Sequence, residues 1–347
     1  MRIQVNARNR GYEFDAAPGE RVLYAGLRAG IDLPYECATG TCGTCKAKAV
    51  SGRVRDGWPQ APGRKFVKPE AGEFLMCQCV AEGPLTLEVS KFVYAMEPGA
   101  CVPCATSALV SRARRLTGDV IAFSLALEEP RDFDAGQFVV LAAPGLTGFR
   151  AYSMCNFEPR ARQLEFVVKR KPDGGFSEWL FGADRKGERI ELFGPIGKAT
   201  FDPGLGRNLL CIAGGSGIAG MMSIVARAAR ERYFDRHQGW LFFGIRALPD
   251  AFFLEELSAF RREFSDRLQM TVALSDEDVP ASARCDWPAL SFSRGLVHEV
   301  AKRAMAGKYQ NVRAYVAGPP PAVDAAIRVL LLEAKLTTDN IRYDKFS

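Results

Sequence analysis

Tyr35-Glu36-Cys37-Ala38-Thr39-Gly40-Thr41-Cys42-Gly43-Thr44-Cys45 is the stretch from which the rest of the 347-residue chain is read. Its cysteines are spaced C-x4-C-x2-C, and only small residues lie between them. Such a loop is tight enough for backbone N–H groups to converge on sulfur, which a negatively charged thiolate site requires. A further thiol follows in Leu75-Met76-Cys77-Gln78. Two ferric ions bridged by two sulfides need four thiolates, so the spacing predicts a 2Fe–2S cluster on Cys37, Cys42, Cys45 and a distant fourth cysteine. The rivals are a four-cysteine zinc ribbon, which would show two C-x2-C pairs where this region has one, and unligated buried thiols. Cys79 competes with Cys77, because residues two apart on a strand face the same side.

Composition narrows the chemistry in the same direction. Ten cysteines stand against two histidines, His237 and His298, in unrelated contexts, so sites built on two or three histidines are excluded. The net charge of +6 is spread along the chain; residues 1–98 carry 13 basic and 11 acidic residues, a net of +2. No basic stripe of the kind that reads nucleic acid is present. The opening Met1–Phe14 has no apolar core of a secretory signal, which predicts a cytoplasmic protein whose thiols stay reduced. Leu209–Ala226 is uncharged over 18 residues, but Gly214-Gly215-Ser216-Gly217 interrupts it. It reads as a buried strand, a turn and a helix, and no membrane partner is expected.

The hydrophobic period changes twice along the chain. Residues 1–14 alternate as a hairpin with Ile3, Val5 and Phe14 inward, Arg21–Ala29 reads as a helix, and Lys46–Val54 and Leu85–Val89 read as strands. Ala95–Thr106, rich in small residues and proline, reads as a linker; its Cys101-x2-Cys104 reads as two thiols of a connector in preference to a redox pair, and Cys155, Cys211 and Cys285 read as core or surface thiols. Alternating segments then follow at Ala108–Leu116, Val120–Leu127, Gln137–Ala143, Gln163–Arg170 and Glu188–Phe193, the pattern of a small antiparallel barrel. After Pro203-Gly204, strand-like and helix-like runs alternate, which predicts a doubly wound α/β domain. Cuts near 98 and 204 follow.

Several motifs in order give the chain a family resemblance. Tyr35–Cys45 with Leu75–Gln78 resembles plant-type ferredoxins, a pattern that selects Cys77 as the fourth ligand. Arg150-Ala151-Tyr152-Ser153 resembles the flavin signature of the ferredoxin–NADP reductase superfamily, and Pro172-x-Gly174-x-x-Ser177 resembles its phosphate loop. Gly214–Gly220, Phe243-Gly244-Ile245-Arg246 and Tyr315–Pro320 resemble its nicotinamide signatures. The whole arrangement is similar to the NADH-dependent reductase components of bacterial multicomponent oxygenases. Trp58–Gly63, Gly295–Glu299 and Arg342–Phe346 resemble the toluene-4-monooxygenase-type subgroup, and Phe176–Arg185 the xylene-monooxygenase-type one.

The resemblance implies three parts: residues 1–98 as a β-grasp ferredoxin domain, 99–204 as linker and FAD-binding β-barrel, and 205–347 as an NAD(H)-binding α/β domain. It implies hydride transfer from NADH to FAD, then single electrons through the cluster to an oxygenase hydroxylase or a Rieske-type ferredoxin. Arg150, Lys169, Gly174, Gly175 and Ser177 would serve the FAD phosphates, with a helix N-terminus favouring the anion. Tyr152 and Ser153 would face the flavin, with Ser153 near N5. Gly214, Gly215, Ser216, Gly217, Gly244, Gly318 and Pro319 would cradle the nicotinamide nucleotide. Gly215–Gly220 matches G-x-G-x-x-G literally, but a dinucleotide fingerprint of that kind wants an acidic residue about 20 positions on. Here the second strand ends Gly244-Ile245-Arg246, so the reductase-type glycine loop fits better. Arg246 would favour NADPH and Asp250 oppose it, leaving NADH as the expected donor. Phe346 would cover the flavin ring, with Asp344 beside it. The family's proline and cysteine are replaced by Gly220 and Ala317. Alternative readings are a reductase for a Rieske dioxygenase or a deoxysugar dehydratase, and a redox-sensing module without turnover.

Overall fold

The computed structural model describes residues 1–346. Strands β1 (Arg2–Ala7) and β2 (Gly11–Asp15) form the expected hairpin, with Ile3 opposite Phe14 and Val5 opposite Tyr12. Ile3 and Val5 are fully buried while Arg2, Gln4 and Asn6 are exposed, as a half-buried strand of period two requires. Helix α1 (Val22–Arg28) buries every residue but Arg28. Then come β3 (Lys46–Ser51), β4 (Val54–Asp56), β5 (Glu73–Leu75), β6 (Cys79–Ala81) and β7 (Leu85–Val89). The sheet runs β2-β1-β7-β3-β5, with β1 and β7 parallel, and β4 pairs separately with β6.

The middle of the chain forms β8 (Cys104–Arg115), β9 (Val120–Arg131), β10 (Phe138–Ala142), β11 (Arg150–Ser153), β12 (Ala161–Lys169), helix α2 (Gly175–Gly182) and β13 (Arg189–Ile196). Strand β9 pairs antiparallel with β12, and β10 with β13. The C-terminal part alternates β14 (Asn208–Gly214), α3 (Ile218–Arg230), β15 (Gly239–Ile245), α4 (Leu254–Glu263), β16 (Leu268–Leu274), α5 (Ala281–Asp286), β17 (Ser291–Arg294), α6 (Val297–Ala304), β18 (Val312–Gly318), α7 (Pro320–Arg328) and β19 (Ile341–Lys345). All six of its strands are parallel, in the order β17-β16-β15-β14-β18-β19.

The chain groups into two compact units. The first holds Met1–Ala108, Phe138–Tyr152 and Arg189–Ile196, and its core joins Ile3, Leu23, Leu27 and Leu87 to Phe138, Val140, Phe193 and Ile196. The second holds Leu109–Gln137, Ser153–Glu188 and the residues from Gly197 onward. There, alternate residues of β14 feed opposite faces. Leu209, Cys211 and Ala213 pack with Ile218 and Val225 of α3, while Leu210 and Ile212 pack with Val300 of α6 and Val323 of α7. A strand covered on both faces must be apolar throughout, which explains the uncharged run from Leu209. Among the described residues, no helix is long and apolar enough to cross a membrane.

Two expectations change. Strand β8 begins at Cys104, inside the stretch read as linker, and Arg189 on β13 donates to Ser107 beside it at 2.5 Å. Small residues there hide a strand whose partner lies about eighty positions away. The strands β5, β6, β11, β17 and β19 carried no expectation; the first four span only three or four residues, too few to show a period.

Candidate functional site

The cysteine loop folds because of where its glycines stand. Ala38, Gly40 and Gly43 take left-handed conformations, at φ of 56°, 88° and 76°. A side chain at Gly43 would meet Phe66 at 2.5 Å, and one at Gly40 would meet Gln78 at 2.9 Å. The segment from Trp58 to Phe66 closes over the loop, with Gly63 N–H donating to the Gly40 carbonyl at 2.8 Å. Within it, the four thiols sort into two pairs. Cys45 and Cys77 bring their sulfurs to 3.2 Å, and Cys37 hydrogen-bonds with Cys42. That contact pulls the Cys37 thiol down and pushes the Cys42 thiol up. Thr39 and Thr41 N–H groups each lie 3.4 Å from the Cys37 sulfur, and Gln78 Nε2 lies 3.4 Å from that of Cys77.

The donor set fits a 2Fe–2S cluster, with two thiolates for each iron and N–H groups on sulfur. Among the described residues, no three His, Cys, Asp or Glu side chains converge on a single ion. The rivalry of Cys79 rested on a shared strand, and that premise fails. Cys77 lies in the turn between β5 and β6, while Cys79 opens β6 opposite Asp56, where burial pushes its thiol up to about 12. Of the thiols without assigned chemistry, Cys211 is buried in the core and Cys285 is exposed.

The flavin signature lies on β11. Arg150 Nη1 donates to the Phe149 carbonyl at 2.9 Å, and its guanidinium stacks over the Trp58 ring at 5.4 Å. Burial pushes the Tyr152 phenol up. Ser153 is 5 % exposed, and its hydroxyl has no hydrogen-bond partner. A buried hydroxyl left so costs about 1–3 kcal/mol, and Ser153 fits a ligand that would accept from or donate to it. In the expected phosphate loop, Asp173 is left-handed at φ 59°, and Ser177 accepts from Lys171 N–H at 3.0 Å and lies 3.1 Å from the Lys171 and Gly174 carbonyls. The Ser177 hydroxyl thus shapes the turn that opens α2. Lys169 is ion-paired with Asp119 at 3.1 Å.

The nucleotide signatures meet at the carboxyl ends of β14 and β18, where the strand order reverses, the place at which open α/β sheets bind ligands. Gly217 cannot carry a side chain: its Cβ would lie 2.6 Å from the Ala317 carbonyl carbon and oxygen. One at Gly244 would strike Val297 at 2.7 Å. At Gly220 a side chain would find Ser153 at 3.7 Å, an ordinary contact, so the first turn of α3 adjoins the unpaired serine. The tail is ordered, with Phe346 N–H donating to the Gly318 carbonyl at 3.1 Å and Asp344 in register with Ala317. Arg246 is held by Asp250 at 3.3 Å and by Asp119 at 3.9 Å. Asp119 and Tyr24 carry no motif, while Gln78 and Trp58 fall in stretches quoted for their resemblance without a role of their own. Only the adjacency of Gln78 to Cys77 could have signalled one of them.

Paired thiolates belong to one-electron chemistry and a switch-point crevice to a dinucleotide. A chain that joins them is a nucleotide-dependent iron–sulfur oxidoreductase. Residues 5–82 match the 2Fe-2S iron-sulfur cluster binding domain, 107–201 the oxidoreductase FAD-binding domain and 211–328 the oxidoreductase NAD-binding domain. The chain is 36% identical over 334 residues to the ferredoxin–NAD(P)(+) reductase CarAd of Metapseudomonas resinovorans, covering 94% of this chain and 95% of that one. It is 33% identical over 325 residues to the xylene/toluene monooxygenase electron transfer component XylA of Pseudomonas putida, covering 93% and 87%. The solved ferredoxin reductase in carbazole 1,9a-dioxygenase superposes with a TM-score of 0.82 at 32% identity, over 100% of this chain and 99% of that one. The chain therefore belongs to the ferredoxin–NAD(P)+ reductase family that serves oxygenase systems. It has a ferredoxin part, an antiparallel FAD-binding barrel and a doubly wound nucleotide-binding part.

Proposed function

We propose that this reductase draws on NADH and supplies a cytoplasmic aromatic or hydrocarbon monooxygenase of the di-iron kind, either at its hydroxylase or through a ferredoxin. Residues 1–98, 99–204 and 205–347 would be the ferredoxin, flavin and nicotinamide domains. Bound FAD turns a two-electron hydride into single electrons, and the cluster is their outlet. Cys37 and Cys42 would hold one iron, Cys45 and Cys77 the other. Arg150, Gly174, Gly175 and Ser177 would hold the FAD phosphates, and Tyr152 and Ser153 the flavin ring. Gly214 to Gly217, Gly244, Gly318 and Pro319 would hold the nicotinamide nucleotide, with Asp344 and Phe346 closing over the ring. Hydride transfer needs no protein base, only C4 of the nicotinamide held against flavin N5.

One observation carries the reading: within the second compact unit the unpaired Ser153 hydroxyl, the last residue of the flavin signature, adjoins the first turn of α3. The test is anaerobic addition of NADH to purified protein. Both chromophores are expected to bleach, and cytochrome c reduction to follow. Absence of flavin, with no NADH-driven cytochrome c reduction after FAD is added, would overturn it. The NADH preference rests on Arg246, whose charge is occupied by Asp250 and Asp119 and so is not offered to a 2′-phosphate. Removing both carboxylates (Asp119→Asn with Asp250→Asn) is expected to raise kcat/KM for NADPH relative to NADH by about tenfold. An unchanged ratio would sink that assignment. A second acceptor, the ferredoxin of a Rieske dioxygenase, draws support from the solved carbazole 1,9a-dioxygenase relative. Reconstitution with each acceptor separates the two.

A further inference from the structure

Helix α1 is tied to both halves of the cysteine loop. Leu23 N–H donates to the Met76 carbonyl at 3.0 Å, on the residue before Cys77, and the Tyr24 hydroxyl donates to the Ala38 carbonyl at 3.0 Å, on the residue after Cys37. Ala38 is a left-handed non-glycine residue, a conformation that persists only where neighbours enforce it.

The other side of the Tyr24 ring lies against β13 and the residue that leads into β11, the flavin-signature strand. It stacks on Phe193 of β13, with centroids 4.4 Å apart and planes within 11°, and meets Phe149 edge-on at 5.6 Å. Phe149 immediately precedes Arg150. Arg21 lies over both rings, at 4.7 Å from the Phe149 centroid and 5.4 Å from that of Tyr24, and its Nη1 lies 3.2 Å from the Tyr24 hydroxyl. Tyr24 is 4 % exposed, and this whole seam lies inside the first compact unit. Aromatic pairs of this geometry contribute about 0.5–1.5 kcal/mol each beyond area burial, with defined orientation.

We infer that Tyr24 is a positioning residue that fixes the cysteine loop at a set distance from the flavin-signature strand and so sets the rate at which electrons reach the cluster. The inference rests on the proposed flavin and cluster assignments. Tunnelling between buried centres falls exponentially with their separation, so a ring clamped between loop and strand controls the rate without touching either reacting group. The electron comes from NADH by way of FAD, and one ferric ion becomes ferrous.

The test is anaerobic stopped-flow reduction of the full protein by NADH, in wild type, Tyr24→Phe and Tyr24→Leu, following flavin and cluster absorbance separately. In Tyr24→Leu the flavin phase is expected to stay within about twofold of wild type and the cluster phase to slow by at least about tenfold. Tyr24→Phe keeps the ring and frees the Ala38 carbonyl; it is expected to retain the fast cluster phase while altering the cluster's EPR line shape or midpoint potential. Equal slowing of both phases in Tyr24→Leu, or unchanged phases with an unchanged EPR signal in both variants, overturns the inference. If Tyr24→Leu does not fold, Tyr24→Phe decides through its EPR signal and potential. Failure of wild type to show two phases defeats the functional reading instead.

Discussion

Cys77→Ser removes the 2Fe–2S chromophore, and Cys79→Ser leaves it in place. The two residues are separated by one position and both are buried, yet their sulfurs have different neighbours. Cys77 meets Cys45 at 3.2 Å and receives Gln78 Nε2 at 3.4 Å. Cys79 is held on β6, opposite Asp56, rather than in the turn that brings Cys77 to Cys45. A thiol placed elsewhere does not replace a ligand of the cluster. Iron and sulfide analysis and the visible spectrum measure the outcome. Cys77→Ser should lose the cluster absorbance while retaining flavin, and Cys79→Ser should match wild type in iron content. Cluster loss in Cys79→Ser with retention in Cys77→Ser would reverse the ligand assignment.

Gly217→Ala is expected to cut kcat/KM for NADH by at least about tenfold and to destabilise the protein by about 1–3 kcal/mol. The added methyl would lie 2.6 Å from the Ala317 carbonyl group and 2.7 Å from the Gly318 nitrogen. Those are backbone atoms of β18, a strand flanked by β14 and β19, so they have no rotamer by which to withdraw. The glycine loop must yield instead, and with it the place for a nucleotide pyrophosphate at the start of α3. Gly220→Ala is the control. Its nearest neighbour would be Ser153 at 3.7 Å, so activity with NADH should stay near wild type. Reduction of both variants by dithionite tests whether flavin and cluster remain loaded. If Gly217→Ala binds and oxidises NADH normally, the glycine loop is not the nucleotide site.

The helix Ile218–Arg230 and the strand Leu268–Leu274 belong to the alternation read after Pro203-Gly204, because long apolar periods are local signals. The turn after Pro172 was also legible as a turn: Gly174 and Gly175 open α2. The role of the Ser177 hydroxyl was not, since its partners at Lys171 and Gly174 depend on how the turn closes. Arg246 was visible beside Asp250, four residues on. Asp119, which also reaches it, stands 127 positions earlier, in a turn with no motif.

The sequence by itself determined the chemistry of the chain. A cysteine spacing, a glycine loop and a change of hydrophobic period are short-range patterns, and each is imposed by the geometry of one loop, one helix or one strand. Only the tertiary structure decided that Asp119 reaches Arg246 and that Tyr24 lies against both Ala38 and Phe193. Those outcomes are contacts between residues far apart in the chain. They are settled by how buried surfaces close on one another, and no local pattern records that closure.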